Sequence, residues 1–541
     1  MLGLMQDWPL LAHKIIDHAA LCHPDRPIVS RSVEGPIHRT NYRDLRSRSL
    51  RLAKRLDRHG ICLGDRCATL AWNTWRHLEV WYGLNGIGAL YHTVNPRLFP
   101  DQIAWIINHA SDRLLFTDIT FLPLVEKLAP ALKSVEQVIV LTGAATMPPT
   151  SLPNAVPYEE WLAEADDDFA WKTFDENTAA GLCYTSGTTG DPKGVVYSHR
   201  SNLLHAMSAA MPDMLSVSSR EVIMPVVPMF HANCWSLAHS VPMAGGSLVM
   251  PGPKMDGASL YELLESEKVT CTAAVPTIWL MLLQHLEATG ARLTSLKRVI
   301  IGGSAVPRVM IQKFVETYGV DVLHAWGMTE LSPLGTVCSM KPEVAGLKGE
   351  EMLDVKVKQG QSPFTVEMKI TDDDGDRIPW DGRTFGRLKV RGPATASAYY
   401  RDPTPILDED GYFDTGDVST IDANGYMAIT DRSKDVIKSG GEWISSIEIE
   451  NLAVGHADVA EAAVIGVHHP KWSERPLLIV VAKPGKTVEK DSMLAFLSGK
   501  IAKWWMPDDV VTVAEIPHTA TGKIKKSVLR EKFADYRLPT A

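Results

Sequence analysis

The sequence predicts an α/β protein with a large N-terminal domain and a small α+β C-terminal domain, on three observations. Apolar runs alternate with helical patterns between Ile61 and Leu141 and again further on, which is the signature of strands layered with helices. After about residue 350 the texture changes to short strands separated by turn-rich sequence. The charged joint Asp431-Arg432-Ser433-Lys434-Asp435 then sets off a tail of roughly a hundred residues. At 541 residues the chain is also longer than one hydrophobic core organises.

Taken in order, Cys67-Ala68-Thr69-Leu70 reads as a strand, Glu79 to Leu84 as a helix and Arg113-Leu114-Leu115-Phe116 as a second strand. Val222 to Val227, Thr270 to Val275 and Lys297 to Gly303 are further strand-like runs, each followed by polar or glycine-rich sequence. Ligands of open α/β sheets collect at such strand ends. Val366 to Thr371 leads through the turn-rich Asp372-Asp373-Asp374-Gly375-Asp376 to Arg387 to Arg391, a hairpin pattern. The expected domains are 1–431 and 436–541.

Composition narrows the function. Apolar residues make up 45% and charged residues 22% of the chain, the balance of a packed globular protein. A net charge of -9 argues against a protein that coats nucleic acid or an anionic membrane. The seven cysteines are scattered without a C-x-x-C pair, and no run reaches about 18 apolar residues. Met1 to Asp7 lacks the basic start of a secretion signal, and Leu538 to Ala541 matches no peroxisomal or lipidation signal. A cytoplasmic protein without a membrane span is the expectation.

The most informative string is Tyr184-Thr185-Ser186-Gly187-Thr188-Thr189-Gly190-Asp191-Pro192-Lys193-Gly194, set between strand-like Gly181-Leu182-Cys183 and Val195-Val196-Tyr197. It predicts a hairpin with a long tip. Glycines let backbone N–H groups approach an anion, hydroxyls donate further hydrogen bonds and Lys193 supplies charge, a set suited to polyphosphate. The spacing differs from G-x-x-x-x-G-K-[ST], and no helix pattern follows the lysine. A shorter Gly/Thr-rich stretch would more often be a surface loop.

This string resembles the signature of the adenylate-forming superfamily, which includes acyl-CoA synthetases, peptide-synthetase adenylation domains and firefly luciferase. Pro228-Met229-Phe230-His231, Val275-Pro276-Thr277, Gly302-Gly303-Ser304-Ala305, Ala325-Trp326-Gly327-Met328-Thr329-Glu330, Tyr412 to Asp417, Asp431-Arg432, Lys438 to Glu442 and Thr521-Gly522-Lys523 follow in that family's order. Val226 to His231 and Lys438 to Ser446 are most similar to bacterial fatty-acyl-CoA synthetases and to ligases of 3-methylmercaptopropionate.

The resemblance implies a two-step reaction using ATP, Mg²⁺ and coenzyme A. A small carboxylic acid is converted to its acyl-adenylate and then to a CoA thioester, with AMP and pyrophosphate released. The thioether acid 3-methylmercaptopropionate, met in dimethylsulfoniopropionate breakdown, is the preferred substrate. A medium- or long-chain fatty acid is the first alternative, and loading of a carrier protein the second. Sulfur adds only about 0.3–1.5 kcal/mol against aromatic walls, so composition of a pocket discriminates weakly between such acids.

Site residues carried over by the resemblance fall into three groups. Thr185 and Glu330 are the expected Mg²⁺ ligands, and with Lys523 and Lys438 the expected catalytic residues. Thr185, Ser186, Gly187, Thr188, Thr189, Gly190 and Lys193 would hold the phosphates. Gly303, Ser304, Trp326, Gly327, Met328 and Thr329 would line the adenine site, Trp326 offering a flat face. Asp417, with Arg432, would take the ribose hydroxyls. Alone, each of these has a structural reading: Glu330 a helix-start acid, Asp417 a turn residue, Trp326 core. His231, Gly302 and Pro333 would border the acid. His231 and Trp235 would share one face if their segment is helical, with Trp235 gating the thiol tunnel. Residues 432–435 would be a hinge centred on Lys434, and Lys438, Ser439, Gly440, Gly441 and Glu442 would line the thiol route. A homodimer is the family's expectation.

Overall fold

The structure is a computed structural model that describes residues 1, 3–185, 191–440, 442–518 and 524–541. It has a large N-terminal domain carrying three sheets and a smaller C-terminal domain built on a fourth.

The first sheet has eight strands in the order Leu334–Val337, Asp321–Gly327, Arg298–Ile301, Cys271–Ala274, Val222–Pro225, Ser247–Met250, Pro27–Arg31 and Ile37–Asn41. Its interior pairs are parallel and only the two outermost pairs antiparallel. Parallel strands are covered on both faces, which is why Val299, Ile300 and Ile301 are apolar without alternation and wholly buried. The helix Pro276–Thr289 covers one face. It starts at Pro276, where the missing N–H needs no partner, after extended Val275. Its Trp279 is buried and donates to the Ala274 carbonyl at 3.2 Å.

The second sheet has seven strands, Ala155–Pro157, Gln137–Val140, Leu114–Thr117, Arg66–Leu70, Leu90–Thr93, Ala179–Tyr184 and Gly194–Ser198. Its first six strands run parallel, and the last is the return arm of a hairpin with Gly181 opposite Tyr197. The helix Trp75–Ile87 is buried along its whole length. One core joins Ile28 and Ile223 of the first sheet to Tyr91 and Phe116 of the second through Trp81 and Leu84 of this helix. It is buried between the layers although not apolar throughout: its Glu79 and Arg76 are paired with Arg48 and Glu34.

The third sheet is antiparallel: Glu367–Thr371, Gly386–Arg391, Phe413–Ile421 and Met427–Arg432. Burial alternates strictly along Gly386–Arg391, as in a sheet with one covered face. The fourth sheet joins Glu442–Ile444, Ile437–Ser439, Ser473–Ala482 and Val459–His469, with Asp509–Thr512 parallel to Ser473–Ala482.

Third and fourth sheets meet at a polar junction. Ser445 Oγ donates to the Thr430 carbonyl at 2.6 Å, and Ser446 N–H to Asp431 Oδ2 at 2.9 Å. Arg530 reaches Asp435 at 2.6 Å and Lys526 reaches Glu450 at 2.8 Å. Burial pushes the Glu450 carboxyl up to about 7, with Lys526 opposing the shift. No helix among the described residues is long and apolar enough to cross a membrane.

Candidate active site

Four loops leave the carboxyl ends of adjacent parallel strands in the first sheet: Val226 to His231, Val275-Pro276, Gly302 to Ser304, and the turn after Gly327. This is where an open α/β sheet offers a crevice. Gly302 is required there by contact: a Cβ would stand 2.8 Å from the Ala325 carbonyl oxygen and 3.2 Å from the Trp235 ring. The Trp235 indole therefore lies over the Gly302-Gly303 backbone and is itself buried. A Cβ on Gly327 would lie 2.0 Å from the Pro333 carbonyl oxygen, so this turn closes on itself, with Met328 N–H on that oxygen at 3.0 Å.

The segment carrying Trp235 departs from the helical expectation. His231 is extended, with φ -126° and ψ 119°, and a 3₁₀ turn runs Ala232–Ser236. Ala232, Cys234, Trp235 and Ser236 all have positive φ, from 40° to 71°. His231 and Trp235 thus do not share one face of an α-helix. Left-handed backbone is unfavourable for such residues and persists only where packing dictates it. Here the buried Cys234 thiol donates to the Val227 carbonyl at 3.4 Å, and Trp235 is fixed against Gly302. The preceding loop is held by buried Asn73, which donates to the Pro225 and Val227 carbonyls at 2.8 and 2.9 Å and accepts from Met229 N–H at 2.7 Å.

At the edge of the second sheet, Thr185 N–H donates to the Lys193 carbonyl at 2.9 Å, continuing the hairpin beyond Tyr184 and Gly194. Ser186, Gly187, Thr188, Thr189 and Gly190 lie outside the described residues. The hairpin is tied to the first sheet by Tyr197, whose hydroxyl donates to the Thr329 carbonyl at 2.8 Å. Next to Thr329, buried Glu330 accepts the Tyr399 hydroxyl at 2.7 Å. Burial first, and the Glu330 charge with it, push the Tyr399 hydroxyl far up. The Cys183 thiol in the hairpin stem is also raised, by burial and to a smaller degree by Glu330. Glu330 thus lies near the stem of the Tyr184–Gly194 hairpin.

Thr185 and Glu330 offer hard oxygen donors, and no group of three His, Cys, Asp or Glu side chains suited to a metal occurs among the described residues. A divalent ion that keeps waters and draws most of its ligands from phosphate fits such a sparse donor set, as Mg²⁺ does.

Trp326 is buried, one side of its ring against Gly335, and its Nε1–H donates to Asp417 Oδ2 at 2.9 Å. Asp417 stands opposite Arg432 across the third sheet and meets its Nε at 3.1 Å. Trp326, Asp417 and Arg432 are thus one interlocked group, joining the first sheet to the third. Ser304 is exposed beside this group's strand, and Gly303 has φ +85°. Pro333 is buried, and the next N–H, of Leu334, donates to His205 Nε2 at 2.9 Å. Burial holds the His205 imidazole down at about 3, keeping that nitrogen free to accept.

The C-terminal candidates sit apart from these loops. Lys438 is exposed, its N–H donating to Glu474 at 2.9 Å and its Nζ 5.8 Å from the Trp443 ring centroid. Ser439 accepts from Arg475 at 3.2 Å, and Gly440, at φ +61°, donates to the Trp472 carbonyl at 2.8 Å. Lys434 is exposed in the turn between the third and fourth sheets. Gly441, Lys523 and the Glu442 side chain lie outside the described residues.

Tyr197, Tyr399, Asn73 and His205 are neighbours of the candidate residues that the sequence does not mark. Each acts on a residue tens to hundreds of positions away, and no local pattern marks such a contact.

Residues 16–400 match the family model described as AMP-binding enzyme, and residues 448–523 that of the AMP-binding enzyme C-terminal domain. The chain is 49% identical to a 3-methylmercaptopropionyl-CoA ligase of Ruegeria pomeroyi, over 99% of both chains. It is 45% identical to a medium-chain-fatty-acid–CoA ligase of Ectopseudomonas oleovorans, over 99% of this chain and 98% of that one. Its fold matches an anthranilate CoA ligase crystallised with anthranoyl-AMP at a TM-score of 0.87, with 23% identity, over 98% of this chain and 100% of that one.

Proposed function

The chain belongs to the AMP-binding enzymes, and from that membership we propose that it is an ATP-dependent acid–CoA ligase whose acid is 3-methylmercaptopropionate. The observation that carries the reading is the joining of three separate pieces, the phosphate hairpin, buried Glu330 and the Trp326-Asp417-Arg432 group, around the carboxyl ends of the first sheet's parallel strands. The 49% identity to a 3-methylmercaptopropionyl-CoA ligase over nearly full length supports the acid.

A carboxylate resists attack by a thiol, because its charge repels the nucleophile and oxide leaves poorly. In the first step a carboxylate oxygen attacks the α-phosphorus of ATP and pyrophosphate departs, leaving the acyl group on AMP. Such a transfer needs alignment and charge stabilisation rather than protein covalent chemistry. Thr185 with the hairpin tip, and Lys193, would hold the phosphates. Glu330 and Thr185 would hold Mg²⁺, which when bound neutralises phosphate charge and sets its orientation. Asp417 would accept the ribose hydroxyls while Trp326 and Arg432 hold its two oxygens. Lys523 would place one positive charge between the two anions that must meet.

In the second step the coenzyme A sulfur attacks the acyl carbon and AMP leaves. Residues 432–435 would act as the hinge that withdraws Lys523 and brings Lys438 to Glu442 to the thiol route. Trp235, on its left-handed segment over Gly302, would close the meeting point of thiol and acid. Cytoplasmic location and a homodimer belong to the same proposal; light scattering of the purified protein tests the latter.

A second acid is favoured by a specific observation, the 45% identity to a medium-chain-fatty-acid–CoA ligase. Release of AMP and pyrophosphate across short, thioether and medium- to long-chain acids decides. The highest kcat/KM is expected with 3-methylmercaptopropionate. Higher values with medium or long fatty acids would transfer the assignment to them, and release of ADP and orthophosphate alone would reject the ligase reading altogether.

A further inference from the structure

We propose that Tyr399 is a positioning residue of the adenylation step, its hydroxyl fixing the Glu330 carboxylate and its ring seating the Lys193 ammonium, so that one side chain sets the metal-binding acid and the phosphate-loop cation together. This rests on the reading of Glu330 as a ligand of Mg²⁺.

The geometry has two halves. The Tyr399 hydroxyl donates to Glu330 Oε1 at 2.7 Å, the length of a charge-assisted hydrogen bond. Lys193 Nζ stands 4.7 Å from the centroid of the same ring, within reach of a cation–π contact. Glu330 lies in a 3₁₀ turn between two strands of the first sheet and Lys193 just before the last strand of the second, and Tyr399 belongs to neither sheet.

The segment bearing Tyr399 is pinned on both sides. Ser332 Oγ donates to the Ala394 carbonyl at 2.9 Å, and Ala396 N–H to the Glu330 carbonyl at 2.8 Å. Tyr400 N–H donates to the Gly194 carbonyl at 2.8 Å, directly beside Lys193. Arg401 donates to the His109 carbonyl at 2.6 Å. Residues 394–401 thus strap the turn after Gly327 to the base of the phosphate hairpin, with Tyr399 on the inside of the strap. Its phenol O–H supplies the donor where the carboxylate can only accept. That hydrogen bond holds the carboxylate in one orientation.

Tyr399→Phe removes the hydroxyl and keeps the ring. In acid-dependent ATP–pyrophosphate exchange, the Mg²⁺ concentration for half-maximal rate is expected to rise roughly tenfold, the effect of losing one hydrogen bond to a charged group. Calorimetric affinity for Mg²⁺ with an ATP analogue bridged by methylene between its α- and β-phosphates should fall by a similar factor. Thioester formation from supplied acyl-adenylate should be unaffected. Tyr399→Leu removes the ring as well and should lower nucleotide affinity further at saturating Mg²⁺.

A folded Tyr399→Phe protein with unaltered Mg²⁺ dependence and nucleotide affinity would overturn the proposal, as would equal loss in both half-reactions. Glu330→Gln separates it from its premise. If that variant keeps the parental Mg²⁺ dependence, the reading of Glu330 fails and the role of Tyr399 with it. If Glu330→Gln loses the dependence while Tyr399→Phe behaves as the parent, only the role of Tyr399 fails.

Discussion

The N-terminal crevice and the Lys438 hairpin are built from different materials. In the crevice, buried polar groups are held by side chains distant in sequence: Asp417 by Trp326, Glu330 by Tyr399, the Met229 backbone by Asn73. In the hairpin, Lys438 is exposed and its hydrogen bonds are local to the C-terminal domain. Groups that must meet a changing charge distribution with little reorganisation gain from being fixed beforehand. Groups used in only one of two steps gain from being carried on a part that moves. The contrast predicts which substitutions disturb one half-reaction and which disturb the whole protein.

The largest expected effect is at Lys523, on the side proposed to move. Lys523→Ala should slow adenylation by about 10²–10³-fold, the scale of removing one preorganised charge or donor from a reacting centre. Thioester formation from supplied acyl-adenylate should be spared. Rapid-quench measurement of the two half-reactions checks this, and parallel loss would mean that Lys523 is not confined to one step. Lys434→Pro asks the complementary question with a smaller effect. Proline fixes φ and restricts Ser433 before it, so thioester formation should slow while adenylation holds. Loss of both steps, or of neither, would move the hinge elsewhere.

What is legible in the amino-acid sequence follows the same division. The strand runs near Cys67, Leu114, Val222, Cys271 and Val299 carry their own period and composition, and each is a strand. The hairpin around Thr185 is legible because its glycines, hydroxyls and lysine are contiguous. The strap is not: Tyr399 meets Glu330 69 residues away, and nothing in the local sequence Ala398-Tyr399-Tyr400-Arg401 distinguishes a buried donor from a surface tyrosine. Nor is the left-handed run at Ala232 to Ser236, because alanine, cysteine, tryptophan and serine are poor formers of that conformation. Tertiary packing imposes it, and a local pattern cannot report a constraint that arrives from Gly302.

Acid sensitivity should also differ between the regions. Burial lowers the imidazoles of His13, His77, His199, His205, His239 and His324, all in the N-terminal domain, to about 3 or 4. His518 of the C-terminal domain is instead raised, by its hydrogen bond to Glu461. For His205 the folded value is about 3, against about 6.5 in an unfolded chain. Between those values the unfolded state binds the extra proton, so the stability is full above about pH 6.5 and declines as pH falls toward 3. His205→Gln retains an oxygen able to accept the Leu334 N–H and cannot titrate. Its unfolding free energy should fall by about 1.4 kcal/mol less per pH unit between pH 6 and 4 than that of the parent. Parallel pH dependence, measured by urea unfolding, would show that His205 is not a neutral acceptor.

The smallest effect tests a place where the crevice carries strain. Ser236 has φ +71° and ψ -10°, and its buried hydroxyl has no hydrogen-bond partner among the described residues. Left-handed backbone costs a non-glycine residue about 1–2 kcal/mol, and an unsatisfied buried hydroxyl about 1–3 kcal/mol. Glycine at this position removes both and adds roughly 0.5–1 kcal/mol of chain entropy to be lost on folding. Ser236→Gly should therefore stabilise the protein, by about 1 kcal/mol or more. Because Trp235 precedes it, relief of that strain should also loosen the indole from Gly302, raising the KM for the acid more than it alters kcat. A variant less stable than its parent would mean that Ser236 is held by a favourable contact and that the segment stores no strain, leaving the closing of the crevice to Trp235 and Gly302 alone.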